Sequence, residues 1–103
     1  MNTLYRQNKE SIMANIVQEK IDSGAFILDV RTLEEFEDEH FPNAVCIPVN
    51  ELPGRLGEIP RDRSVIVYCA SGSRSAFAAR ILKSAGYPDV INAGGLYDLP
   101  QAV

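Results

Sequence analysis

Four short apolar runs, at 25–30, 44–49, Val65–Cys69 and 90–91, alternate with stretches whose apolar residues recur at helical spacing. Runs of about four to eight residues without polar alternation read as strands covered on both faces, the pattern of a parallel sheet. Parallel neighbours cannot be joined by a tight turn and need a crossover, usually a helix. The alternation therefore predicts an α/β domain in which helices cover both faces of a central parallel sheet. The chain has 103 residues and no linker, repeat or low-complexity tract, so a single domain over 1–103 is expected.

The stretches between the runs carry the helix signals. Ile12, Met13, Ile16, Val17 and Ile21 form an amphipathic stripe, with Asn8 or Ser11 available to cap it and Gly24 suited to a left-handed stop. Thr32 followed by Glu34 and Glu35 opens a short helix whose first-turn acids favour its dipole. Residues 51–59 lie between Pro53 and Pro60 and contain Gly54 and Gly57, which predicts only a weak helix. Over 73–85, Phe77 with Ile81 and Ala78 with Leu82 mark one side of a better helix, ended by Gly86 and Pro88.

Composition removes several classes of function. A content of 46% hydrophobic and 23% charged residues is that of a globular domain, and no apolar run approaches the roughly 18 residues of a membrane span. The net charge of −4 gives no attraction to nucleic acid. Residues 1–11 lack the apolar core and cleavage site of a secretory signal, so a cytoplasmic location is expected. Two cysteines and one histidine make neither a disulfide framework nor a zinc set, and nothing calls for a metal or cofactor.

The run Val65–Cys69 delivers a cysteine into a small-residue loop, Ala70, Ser71, Gly72 and Ser73, that is closed by Arg74 and Ser75. Parallel sheets place their sites at the carboxyl ends of strands, and Cys69 stands at such an end. A thiol attacks only as thiolate, and with a pKa of about 8.5 a free cysteine is mostly protonated at neutral pH. Two features here favour the anion: backbone N–H groups of residues 70–75, free to curl around the sulfur, and the positive end of the helix beginning near Ser73. Arg74 adds a fixed charge and a forked donor set suited to an oxyanion, which predicts a small anionic substrate. The loop is no nucleotide-binding loop, since it lacks both the lysine and the spacing.

Four ordered motifs then resemble a known family. Asp29, Val30 and Arg31 precede Glu34, Glu35 and Phe36; His40 to Ala44 leads to Ile47 and Pro48; Tyr68 and Cys69 lead to Gly72 through Ser75; and Asn92, Ala93, Gly94, Gly95 and Leu96 follow. Together, from about Gly24 to Leu96, they look like a single-domain rhodanese. The resemblance implies a sheet of about five strands and a persulfide formed on Cys69. Its sulfur would come from a small anionic donor such as thiosulfate and pass to cyanide or a thiol, a thioredoxin-like protein among them. Asp29 and Arg31 match positions that serve architecture, and His40 is not the partner of the attacking group. Asn43 stands where relatives often have glycine, and no tryptophan follows the paired glycines, where Tyr97 and Leu99 stand instead. Cys46 reads as a small core residue, with resolution of the Cys69 persulfide as its alternative role.

Two other readings remain open at this point. A cysteine phosphatase or arsenate reductase uses a similar loop, but the related phosphatases place five residues between cysteine and arginine, against four here, and no acid follows the loop to protonate an alkoxide. A non-catalytic rhodanese-like binding module usually lacks the cysteine, which this chain retains.

Overall fold

In a computed structural model, which describes residues 3–100, the chain folds as α1 (Thr3–Asp22), β1 (Phe26–Asp29), α2 (Leu33–Asp38), β2 (Val45–Cys46), β3 (Val65–Cys69), α3 (Ser73–Ser84) and β4 (Val90–Gly95). Short 3-10 turns at Leu52–Gly54 and Leu56–Glu58 replace the weak helix expected over 51–59, and a third follows β4 at Leu96–Asp98. Proline at the start of the first turn and the flanking glycines leave no continuous stretch able to hold an α-helix.

All strands pair in parallel, in the order β2-β1-β3-β4. The described residues thus hold four strands, not five. The segment ahead of β1 has helical spacing and forms α1, and β2 keeps only two paired residues at its edge of the sheet. The strand order reverses between β1 and β3, so a crevice opens at their carboxyl ends, where Cys69 stands.

Side-chain parity decides which face each strand residue serves. Val65, Val67 and Cys69 point into one core with Leu28 and Val30 and with Ala78, Ala79 and Leu82 of α3. Ile66 and Tyr68 point the other way, to Val17 of α1, Ala93, Leu96 and Leu99. The cysteine is therefore fixed on the α3 face by its place in β3. On α3 the buried stripe is Ser75, Ala78, Ala79 and Leu82; Phe77 lies off it and is 58% exposed, which corrects its assignment to the core side with Ile81. The stripe predicted for α1 is likewise buried only in part. The helix begins at Thr3, ahead of both suggested caps, and packs on the core through Val17, which is covered, and Ile21, which is half-buried, while Ile12, Met13 and Ile16 are exposed.

One buried ion pair braces the crevice. Asp29 is fully buried at the end of β1, where its carboxylate accepts from the Arg31 backbone N–H (2.9 Å), from Nε (3.0 and 3.1 Å) and from Nη2 (2.8 Å). The same Nη2 donates to the Glu39 carbonyl at 2.6 Å and so ties the end of α2 to the sheet. Phe41 N–H donates to the Tyr68 hydroxyl at 3.0 Å, which anchors the next turn. Asn43 takes φ 67°, the left-handed backbone that asparagine tolerates better than most residues. Because both partners of the ion pair are buried, Arg31→Ala strands a carboxylate, and a loss of about 3–5 kcal/mol in urea-unfolding free energy is expected; a loss below about 1 kcal/mol would contradict the bracing role.

Candidate active site

Cys69 is fully buried, beneath a loop whose backbone turns back over it. Gly72 N–H donates to Sγ at 3.0 Å and Ser75 N–H at 3.4 Å. Gly72 is the N-cap residue of α3 at φ 107° and has no side chain to cap the helix. The Cys69 sulfur takes the acceptor position that a serine or aspartate side chain normally fills at the third helical amide. A charge there also faces the positive end of the helix dipole. Ala70, Ser73 and Arg74 complete the turn without an N–H bond to the sulfur, so the cradle rests on fewer amides than the sequence suggests.

The Ser75 hydroxyl supplies a further contact that the sequence reading did not single out. Ser75 is fully buried, and its Oγ lies 3.4 Å from Sγ, 2.7 Å from Asn92 Oδ1, 3.1 Å from the Gly72 carbonyl and 3.4 Å from the Gly94 carbonyl. One proton cannot serve four acceptors, and the partner it takes depends on whether the sulfur is charged. Asn92 is held for this contact, since its Oδ1 accepts from Gly94 N–H at 3.0 Å and its Nδ2 donates to the Gly72 carbonyl at 3.3 Å. Burial raises the Cys69 pKa, but the Ser75 hydroxyl and the amides of Ser75, Gly72 and Ser71 outweigh it, and the thiol falls from 9.0 to about 7.

Backbone packing sets the height of the loop. β4 carries one more residue than β3 between the pairs Val67 to Asn92 and Cys69 to Gly95, and this bulge brings Gly95 alongside the cysteine. A Cβ on Gly95 would lie 2.1 Å from the Ala70 carbonyl oxygen, an impossible contact, so only glycine lets the loop sit this low. Gly95 N–H is in turn held by Asp98 Oδ2 at 2.8 Å.

Arg74 does not point freely into the loop. Its Nη1 and Nη2 donate to Glu35 Oε1 and Oε2 at 2.8 and 3.1 Å, a forked pair with both side chains 35% exposed. Glu35 also closes the capping box of α2, accepting from Thr32 N–H at 3.0 Å. The Arg74 guanidinium and the Thr32 amide together lower the Glu35 carboxyl to about 2, so the pair is charged at neutral pH. Nothing in the local pattern of α2 marks this contact, which spans 39 positions.

The remaining candidates lie apart from the sulfur. His40 is exposed, stacked on Phe36 at 3.8 Å, with Nδ1 2.8 Å from the Phe36 carbonyl. Cys46 is a free, half-buried thiol on β2, its Sγ 3.6 Å from the Arg31 carbonyl, with a pKa raised by burial. Strand β1 separates it from Cys69, a gap of two strand spacings or about 9.6 Å, beyond the roughly 7 Å that a disulfide spans. A direct disulfide within one chain is therefore closed to the two cysteines without backbone movement. Among the described residues no group of three or more His, Cys, Asp or Glu could hold a metal ion, and no helix is long and apolar enough to cross a membrane.

Comparison with known proteins gives one consistent answer. The model of the rhodanese-like domain matches residues 13–99. A Bacillus subtilis relative, YrkF, is 42% identical over 77 residues, which cover 73% of this chain and 42% of that protein. Thiosulfate sulfurtransferase PspE of Escherichia coli is 40% identical over 74 residues, 70% of this chain and 71% of the relative. The chain thus spans less than half of the first and about seven tenths of the second. The crystal structure described as a rhodanese with anions from E. coli superposes with a TM-score of 0.71 at 36% identity, covering 77% of this chain and 95% of that one.

Ser75→Ala removes the hydroxyl contact to the sulfur and is expected to raise the Cys69 pKa by about one unit. Alkylation of the Cys69 peptide by iodoacetamide, followed by mass spectrometry, checks this. In the wild type the rate should climb with pH through an inflection at about 7 and level off roughly one to two units higher, where the thiolate is complete; an unchanged inflection in the variant would remove Ser75 from the account. Gly95→Ala is expected to lift the loop off the sheet at a cost of about 1–3 kcal/mol and to move the same inflection upward. A variant with wild-type stability and inflection would show that the close approach is unnecessary.

Proposed function

The chain belongs to the rhodanese-like sulfurtransferase family, and on that premise we propose that it moves sulfane sulfur from a small anionic donor such as thiosulfate to a thiophilic acceptor, through a persulfide on Cys69. The observation that carries the reading is the sulfur held at 3.0 and 3.4 Å by two loop amides, with a pKa of about 7. About half of the thiol is then ionised at neutral pH, and the attack needs no separate base.

In the first step the Cys69 thiolate attacks the outer sulfur of thiosulfate. A sulfur–sulfur bond forms at Sγ, the bond to the sulfonate sulfur breaks, and sulfite leaves with its electron pair. The persulfide keeps the single negative charge on its outer sulfur. In the second step cyanide attacks that sulfur and leaves as thiocyanate, which regenerates the thiolate; a cellular thiolate, such as that of a thioredoxin-like protein, takes the sulfur as its own persulfide in the same way. The two steps form a double displacement.

The amides of the loop serve both charged states, since the outer sulfur of a persulfide stays within reach of the rim formed by Ala70, Ser71, Gly72, Ser73 and Ser75. Arg74 stands at the edge of that rim with its charge paired to Glu35. Four residues between Cys69 and Arg74 make a smaller cradle than a phosphate requires, which supports sulfur transfer over phosphoryl chemistry.

Cys69→Ser replaces the nucleophile with a hydroxyl that stays protonated at neutral pH. Thiosulfate:cyanide activity is expected to fall at least about a thousandfold while the urea midpoint shifts little. Transfer at the wild-type rate in this variant would overturn the proposal.

A further inference from the structure

The family reading assigns the loop arginine to an anionic donor, yet in this structure both arms of the Arg74 guanidinium are already taken by Glu35. The charges of the pair cancel at any distance large compared with their separation. Among the described residues around the loop no further basic side chain offsets this pairing. A cavity of about 1000 Å³ opens beside the loop, walled by Ser71 and Gly72 on one side and by Met13, Val17 and Tyr97 on others; among the described residues that line it the one charged side chain is an acid, Asp98. Arg31, the other arginine of the crevice, is buried against Asp29.

We propose that Glu35 sets the charge of donor that the loop favours: by pairing with Arg74 and offsetting its field it tunes the site to a sulfane donor bearing one negative charge, of the organic thiosulfonate or persulfide class, over a doubly charged inorganic one. The proposal rests on the sulfur-transfer reading and narrows its donor. The chemistry is the same for either donor. Cys69 sulfur bonds to the outer sulfur of an organic thiosulfonate, the bond to the sulfonyl sulfur breaks, and a sulfinate departs with the electron pair. A sulfinate carries one charge where sulfite carries two, so the whole exchange runs at lower charge beside an arginine already paired with an acid. The apolar part of an organic donor also finds Met13 and Val17 in the cavity wall.

Glu35→Gln is the discriminating variant, because glutamine keeps the capping box of α2 while removing the charge. Sulfur-transfer kinetics should be measured with thiosulfate, a dianion, and with methanethiosulfonate, a monoanion with the same sulfane group. Removing one unit charge a few ångströms from a partly solvated site should raise kcat/KM for thiosulfate about three- to tenfold, and that for methanethiosulfonate by about the square root of that factor. Equal changes for the two donors, or no change, would overturn the proposal. A readout free of sulfur transfer accompanies it: the sulfate concentration that half-protects Cys69 from iodoacetamide should fall about three- to tenfold in the variant. Should neither donor pass sulfur in the wild type, the functional reading fails and the sulfate result alone decides the role of Glu35. An unchanged half-protecting concentration, or no protection in either protein, would reject it.

Discussion

Burying the Cys69 sulfur raises the cost of its charge, and the groups that offset this cost come from one turn of chain between β3 and α3. Gly72 and Ser75 amides do so by direct contact, and the Ser75 hydroxyl adds a donor whose proton can be redirected. The helix ends here without a side-chain cap, so capping the helix and charging the sulfur are one interaction. Loss of the thiolate would leave the third amide of α3 with a weaker acceptor.

That turn keeps its shape only because its neighbours allow it. Parity in β3 sends Cys69 to the α3 face, the bulge in β4 slides Gly95 under the Ala70 carbonyl, and Asn92 pins Gly72 and Gly94 in place. On the other side of the crevice the Asp29 and Arg31 pair anchors the end of α2, and α2 in turn presents Glu35 to Arg74. The charge at the rim of the loop is thus decided by an element distant in sequence from the nucleophile.

Much of this was legible from residue pattern. The apolar runs locate all four strands to within a few residues, and Gly24, Asn43 and Gly86 take the left-handed backbone their residue types favour. The cysteine at the end of β3 and its glycine-rich turn follow from order along the chain. What escaped detection depends on contacts across the fold. Glu35 reads as a first-turn acid and Asn92 only as the first residue of the paired-glycine motif until the sheet brings each to the loop. Phe77 fits the helical period but lies about 100° around α3 from the covered stripe, a rotation that periodicity alone leaves undetermined. The fifth strand belongs to the resemblance alone, since the residue pattern offers only four apolar runs.

The central claim is that the cradled sulfur of Cys69 becomes the carrier of the transferred atom. Mass spectrometry of the intact protein and its peptides after incubation with thiosulfate tests this directly, with Cys46 as the internal control on the neighbouring edge of the sheet. The account predicts a gain of one sulfur atom confined to the peptide that holds Cys69, lost again on addition of cyanide. Sulfur gained on the Cys46 peptide instead, or no gain at all at saturating thiosulfate, would contradict it.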